Sequence, residues 1–228
     1  MERKLNKHKM LQQINKPFHI GTARFTNETY SQNLKWKERK KWEGCCYGFD
    51  KKLPSTVKIG DLVFVIEMNN TLNMVMGIGL IQNYYRAENR TRIYDSEQWN
   101  QFVYKSEYHI SRESILKKPK GKYFIMFLER LLFTGYGHFK RGQGCLTIPY
   151  DRIAIWGPQK IKKSKYHCKI CGLPSKNHKC PGRKVRVKPK SNKCHICGKT
   201  KKGHICTGKK KNFKLLNNIL KFFKELFL

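Results

Sequence analysis

The feature that most restricts what this chain can fold into is a duplicated Cys/His unit. CKICGLPSKNHKCPGRK, starting at Cys168, recurs 26 residues later as CHICGKTKKGHICTGKK, starting at Cys194. Self-similarity at a fixed period marks a repeated structural unit. Each copy spaces its ligand-type residues as C-x2-C-x6-H-x-C and holds too few apolar residues for a core. A unit of this size takes its folding energy from a bound metal.

The expected ligands are Cys168, Cys171, His178 and Cys180 in the first unit, and Cys194, Cys197, His204 and Cys206 in the second. Two residues between cysteines let one tight turn aim both sulfurs inward, and an extended His-x-Cys puts residues i and i+2 on one face. Gly172 and Gly198 follow the second cysteines, where a positive φ turns backbone N–H groups toward the thiolates. Three thiolates and one imidazole form a closed tetrahedral set, so two structural Zn²⁺ ions are expected, with no position left for a catalytic water. Two alternatives stay open. Cys168, Cys171, Cys194 and Cys197 could share one ribbon-like site, or the cysteines could be scattered along an unfolded basic tail.

Charge points the same segment at a polyanion. Residues 160–228 hold 22 Lys and Arg against the single acid Glu225, which places +21 of the chain's formal +34 in its last third. An excess of this size repels itself in a compact state unless a polyanion such as nucleic acid is near. The nine cysteines follow an opening MERKLNKHKMLQQ that has no apolar signal-peptide core. A reducing intracellular compartment is therefore expected rather than a secreted disulfide framework. No run of 18 apolar residues reads as a membrane span.

The units resemble the CCHC zinc knuckles of nucleic-acid-binding proteins, which usually space their ligands C-x2-C-x4-H-x4-C. That resemblance implies binding of single-stranded nucleic acid, with Ile170, Leu173, Ile196 and Ile205 as apolar contacts. No aromatic residue lies inside either unit, so base-specific stacking should be weak and phosphate contacts should dominate. The expected phosphate partners are Lys176, Lys179, Lys201 and Lys202 in the units, Arg183, Lys184, Arg186 and Lys188 in the linker, and Lys209 and Lys210 after it. The linker and the run 209–211 also read as a nuclear-import signal or a solvated tail.

Upstream, the expected organisation is a basic arm at 1–16, an ordered α+β domain at 17–158, the basic two-unit region at 159–211 (units 168–180 and 194–206) and an amphipathic helix at 212–228. Phe18 to Phe25 reads as a strand, followed by a charged stretch from Lys35 to Lys41. After a turn at Gly60-Asp61, LVFVIEM suits a strand buried on both faces, and MVMGIGLIQN its antiparallel partner across the turn formers Asn69 to Asn73. Gly77 and Gly79 suggest a bulge or a sharp bend. Phe102 to Ile110 reads as one strand, Tyr123 to Phe133 as a helix, and LTIPYDRIAIW as a last strand ending near Trp156, itself read as core.

The hairpin IGDLVFVIEMNNTLNMVMGIGLI, preceded by Trp42-Glu43-Gly44, resembles the core hairpin of PUA-like barrels, particularly the EVE branch. The resemblance implies a small β-barrel with helices and an RNA- or base-binding pocket, for which Trp36, Trp42 or Trp99 could supply a wall. A lone Trp in such a barrel also reads as core. The loop from His138 to Gly144 brackets Lys140 and Arg141 with glycines, which suits an anion nest or a plain surface loop. Cys45, Cys46 and Cys145 read as core. Asp61, Glu67, Asp95, Glu97, His109 and Asp151 show no catalytic spacing.

The chain ends in NFKLLNNILKFFKELFL, where Leu215, Ile219, Phe222 and Leu226 lie beside Leu216, Leu220, Phe223 and Phe227. That face must be covered by the domain, by a second copy, by a protein partner or, as the less favoured reading, by a membrane surface. The expectation is a non-enzymatic, zinc-dependent nucleic-acid-binding protein, for DNA or RNA, in the nucleus, a viral factory or a virion. Its Lys-, Asn- and Ile-rich composition resembles that of proteins of large DNA viruses of eukaryotes. A scaffold that packages nucleic acid, with the terminal helix driving assembly, and a nucleic-acid-modifying enzyme are the rival readings.

Overall fold

Runs of Val, Ile and Phe set the centre of this molecule. In the computed structural model, which describes residues 17–84, 91–134, 138–140, 144–155 and 212–228, the chain begins with β1 (His19–Phe25), α1 (Asn27–Arg39) and β2 (Cys45–Phe49). There follow β3 (Leu62–Asn69), β4 (Met74–Gln82), a 3-10 turn (Glu97–Asn100), β5 (Phe102–Ser106) and β6 (His109–Ser111). The described elements close with α2 (Arg112–Lys117), α3 (Gly121–Phe133), β7 (Leu146–Thr147), α4 (Tyr150–Ile155) and α5 (Phe213–Glu225). Two compact units divide the chain. The first runs to Ile153 and resumes at Lys214–Leu228, and the second is Ala154–Phe213.

The fold class is α+β with a mixed sheet in the order β6-β4-β3-β1-β7, and β2 pairs with β5 in a separate two-stranded ribbon. β1 runs parallel to β3, while the β3–β4, β4–β6 and β1–β7 pairs are antiparallel. The expected closed barrel is not formed by the described strands. Phe102 to Ile110, expected as one strand, breaks where the Tyr108 amide donates to Ser106 Oγ at 3.2 Å. The halves on either side of that break then serve different sheets. At the opposite edge β7 is only 2 residues long. Pro149 has no N–H to extend the ladder, and its carbonyl instead accepts from Arg152 at 2.9 Å, which opens α4 where a strand to Trp156 was expected.

The β3–β4 hairpin forms as its sequence suggests, with Asn73 at φ 56 in the turn. Glu67 pairs with Gly77 and Met68 with Val75, so Met76 is the extra residue of a bulge. The bulge is clamped from outside. Glu129 accepts from the Val75 amide at 3.1 Å, and Arg112 donates to the Val75 carbonyl at 2.8 Å and to Glu129 itself.

Every residue of β3 is buried, and strand alternation divides them between two layers. Val63 and Val65 pack with Tyr47, Val103 and Tyr104 of the ribbon and with Trp36. On the other face Phe64 meets Phe18 at 4.6 Å and Phe223 at 5.3 Å between ring centroids. α3 contributes Phe124, Ile125, Leu128, Leu131 and Leu132, a helical stripe, and Phe124 lies 5.0 Å from Phe223. The apolar face of α5 is thus covered by the first unit, with Leu216, Ile219, Phe223 and Leu226 all at or below 8 % exposure. Among the described residues no helix is long and apolar enough to cross a membrane.

The charged stretch from Lys35 to Lys41 hides a helix. Only Asn33 and Trp36 of α1 are buried, so no apolar period announces it, and its start is set by a capping box between Thr26 and Thr29.

Candidate functional site

The end of β1, the start of α1, β2 and the 3-10 turn enclose a cavity of about 170 Å³ walled by Phe25, Phe49, Tyr94 and Trp99, with Arg24, Thr26 and Thr29 on its rim side. Each wall is fixed by its neighbours. Asn33, buried on α1, donates to the Cys46 carbonyl at 2.8 Å and to the Tyr94 hydroxyl at 3.2 Å. Burial pushes the Tyr94 phenol well up, so it stays protonated. Asn100 accepts from the Ile93 and Tyr94 amides and donates to the Tyr94 and Ser96 carbonyls, which ties the segment before Trp99 into one rigid turn. Gly48 is required for this closure. A Cβ there would lie 2.2 Å from the Trp99 carbonyl oxygen and 3.1 Å from the Tyr94 ring.

Among the described residues two buried acceptors have no hydrogen-bond partner, Asp50 Oδ1 and Asn70 Oδ1, and of the two only Asn70 belongs to a residue that lines the cavity. Asn70 lines the cavity, and its amide orientation is set because Nδ2 donates to the Lys140 carbonyl at 3.2 Å. A flipped amide would set oxygen against oxygen. Asp50 follows Phe49, and its Oδ1 lies 3.4 Å from where a side chain at Gly144, another lining residue, would begin. A buried polar atom left unpaired costs about 1–3 kcal/mol, so the Asn70 acceptor beside this cavity favours a ligand that donates.

A second polar cluster joins the sheets. Tyr47 donates to Glu67 at 2.9 Å, and His109 Nε2 lies 3.2 Å from the same carboxylate. Burial alone would raise the Glu67 carboxyl, yet the His109 hydrogen bond and charge, Lys37 and Tyr47 together hold it below its usual range. Gly77 and Gly79 make this possible. A Cβ at 77 would stand 2.8 Å from both Glu67 Oε2 and His109 Nε2, and one at 79 would stand 2.2 Å from the Tyr47 hydroxyl. Glu67 is 4 % exposed, so the cluster works as an internal staple between β2, β3 and β6.

The three tryptophans expected to serve a pocket are not brought together. Trp99 lines the aromatic cavity, whereas Trp36 is core with Lys105 Nζ 5.1 Å from its ring centroid. Trp42 donates its indole N–H to the Cys45 carbonyl at 3.1 Å and borders a different cleft beside Trp36. Lys140 folds onto the hairpin, its ammonium 2.6 Å from Asn73 Oδ1. Cys45, Cys46 and Cys145 are buried as expected. Phe25, Phe49, Asp50, Asn70 and Tyr94 escaped sequence reasoning, because no spacing rule links positions contributed by four separate segments.

The eight expected zinc ligands from Cys168 to Cys206 lie outside the described residues. So do Arg141 and the expected phosphate contacts Lys176, Lys179, Arg183, Lys184, Arg186, Lys188, Lys201, Lys202, Lys209 and Lys210. Among the described residues no group of three or more His, Cys, Asp or Glu is placed to hold a metal. Comparison with family models, with curated proteins and with solved structures finds no match to the chain in any of the three.

Proposed function

We propose that this chain is a non-enzymatic nucleic-acid-binding protein whose first unit takes one unpaired base into the cavity between Phe25, Phe49, Tyr94 and Trp99. The observation that carries the reading is an aromatic-walled cavity lined by Asn70, whose Oδ1 has no hydrogen-bond partner among the described residues. A base supplies what both features lack. Its faces stack on aromatic rings, and its amino and imino groups donate to buried acceptors. The volume of about 170 Å³ suits a ring system rather than a whole nucleotide, since about 150 Å³ holds a benzene ring.

The charge of +34 supports the polyanionic partner. In this reading residues 159–211 fold around two structural Zn²⁺ ions, for which the repeated set of three thiolates and one imidazole is a suitable donor set, and hold phosphates without selecting sequence. We further place the first unit with the PUA-like folds as an open variant. Its bulged central hairpin and the ribbon packed over it support that placement.

The test compares full-length wild type with Trp99→Ala and Asn70→Ala for binding of free nucleosides by calorimetry, a ligand too small to engage the basic segment. Trp99→Ala should weaken binding by about 1–3 kcal/mol, the worth of one base–aromatic stack. Asn70→Ala should weaken binding of donor-bearing bases, because the acceptor offered to them has been removed. Nucleoside binding that is unchanged in both variants refutes the pocket assignment.

A further inference from the structure

The far end of α1 borders a second concavity, about 540 Å³ in volume, formed by Trp36, Arg39, Lys40, Trp42, Arg92 and Lys105. Among the described residues no carboxylate lines it. Among the described residues none of its four cations makes an ion pair, and Arg92 reaches only a carbonyl, that of Asp95, at 3.4 Å. The aromatic floor is held rigidly, because Lys105 sits over Trp36 and the Trp42 indole is tied to Cys45. Basic residues at a helix C-terminus interact favourably with its dipole, which accounts for Arg39 and Lys40. It does not account for Arg92 and Lys105, which arrive from a loop and from β5 to the same cleft.

The cleft lies close to the aromatic cavity, and two elements set the separation of their nearest lining residues. Along α1, Thr29 borders the cavity and Trp36 the cleft, seven residues and about 10 Å apart at the helical rise of 1.5 Å. Along the ribbon, Gly48 and Phe49 border the cavity while Cys46 pairs with Lys105, a step of about 7–10 Å at 3.3 Å per residue. That spacing equals about two to three stacked nucleotides at 3.4 Å each.

We propose that this cleft carries the phosphodiester strand on one side of the base held in the aromatic cavity, with phosphates on Arg39, Lys40, Arg92 and Lys105 and a neighbouring base against Trp42. The inference rests on the base-pocket reading and adds a strand path and a direction to it. Its ligand is a single strand, DNA or RNA. A duplex would keep its bases stacked and paired, with none free to enter the cavity.

The test uses full-length protein and two variants, the triple substitution Arg39→Ala, Arg92→Ala, Lys105→Ala and the single substitution Trp99→Ala. Fluorescence anisotropy would follow single-stranded DNA and RNA oligonucleotides carrying zero to six nucleotides on each side of a central base, from low to moderate salt. In the wild type, affinity should step up as one flank, not the other, reaches about two to three nucleotides. The triple variant should lose that step, and its plot of log affinity against log salt should be shallower by about two, at 0.7 per phosphate contact. Its affinity for free nucleosides should equal that of the wild type, and circular dichroism should show it folded. The conservative triple Arg39→Lys, Arg92→Lys, Lys105→Arg should restore the slope.

An unchanged slope and length step in the alanine triple would overturn the strand path while leaving the base pocket standing. A lost slope in a protein that binds no nucleoside, or whose Trp99→Ala variant binds nucleosides as wild type does, would sink the pocket and the path between the two sites together. The DNA and RNA arms then show which strand chemistry the cleft prefers.

Discussion

Replacing Phe223 by Ala tests whether the terminal helix belongs to the fold. The ring is fully buried, 5.3 Å from Phe64 and 5.0 Å from Phe124 between centroids, in the layer that covers β3. Truncating a buried Phe costs about 3–5 kcal/mol, the sum of lost transfer energy and the cavity left behind. In a unit of this size 1 kcal/mol moves the melting midpoint by about 2–4 °C, so Phe223→Ala should lower it by about 6–20 °C. Phe213, on the same helix but 59 % exposed, supplies the control, and its Ala variant should stay within about 0.5 kcal/mol of wild type. Removing residues 212–228 takes away four buried side chains at about 1.5–3 kcal/mol each, or about 6–12 kcal/mol. A whole domain's stability is only about 5–15 kcal/mol, so that truncation should unfold the first unit. Thermal and urea melts followed by circular dichroism on the full chain provide the assay. If Phe223→Ala and Phe213→Ala melt together, α5 is an appendage and the packing argument is wrong.

The Glu67 carboxyl, held below its usual range in the folded state, contributes stability that is present above the unfolded-state value near 4.3 and lost as pH falls through the folded value. Urea melts from pH 7 to pH 3 should show wild type losing stability in acid faster than Glu67→Gln, and parallel curves would contradict the staple. Burial pushes the Cys46 and Cys145 thiols up to about 12, and Cys45 higher still. Alkylation at pH 8 with a zinc chelator should therefore label six cysteines in the native protein and nine only after denaturation, as read by mass spectrometry. Native mass spectrometry should count two zinc ions per chain and one in Cys197→Ser, whereas a single ion in wild type would favour one site shared between the repeats.

What the sequence revealed of this fold follows from which forces leave a local trace. The β3–β4 hairpin was legible because β-branched residues and an Asn-rich turn act within a short window, and the helix around Leu128 because its run is long and rich in Leu and Met, which favour helix. α1 was not, since it buries only Asn33 and Trp36 and is held by its cap and by tertiary contacts. Phe102 to Ile110 read as one strand because alternation alone does not reveal which sheet each half joins. Gly77 and Gly79 were noticed as bends, yet their positions also make room for Glu67, His109 and Tyr47, a requirement visible only across strands. Of the aromatic cavity, Trp99 alone was singled out. Its other walls come from β1, β2 and the loop before the 3-10 turn, and only the folded chain brings them together.

The docking of α5 changes what kind of object the basic stretch is. Asn212 donates to the Ala154 carbonyl at 2.8 Å, so the second unit's described ends are bonded to each other, and the chain on both sides continues into the first unit. The stretch that carries the expected zinc ligands therefore lies in sequence between two segments of the first unit rather than after it. A single peptide-bond cut within residues 156–211 would leave two polypeptides, and the buried face of α5 would keep the smaller one attached. Nicked protein should therefore migrate as one species on a sizing column and as two on a denaturing gel.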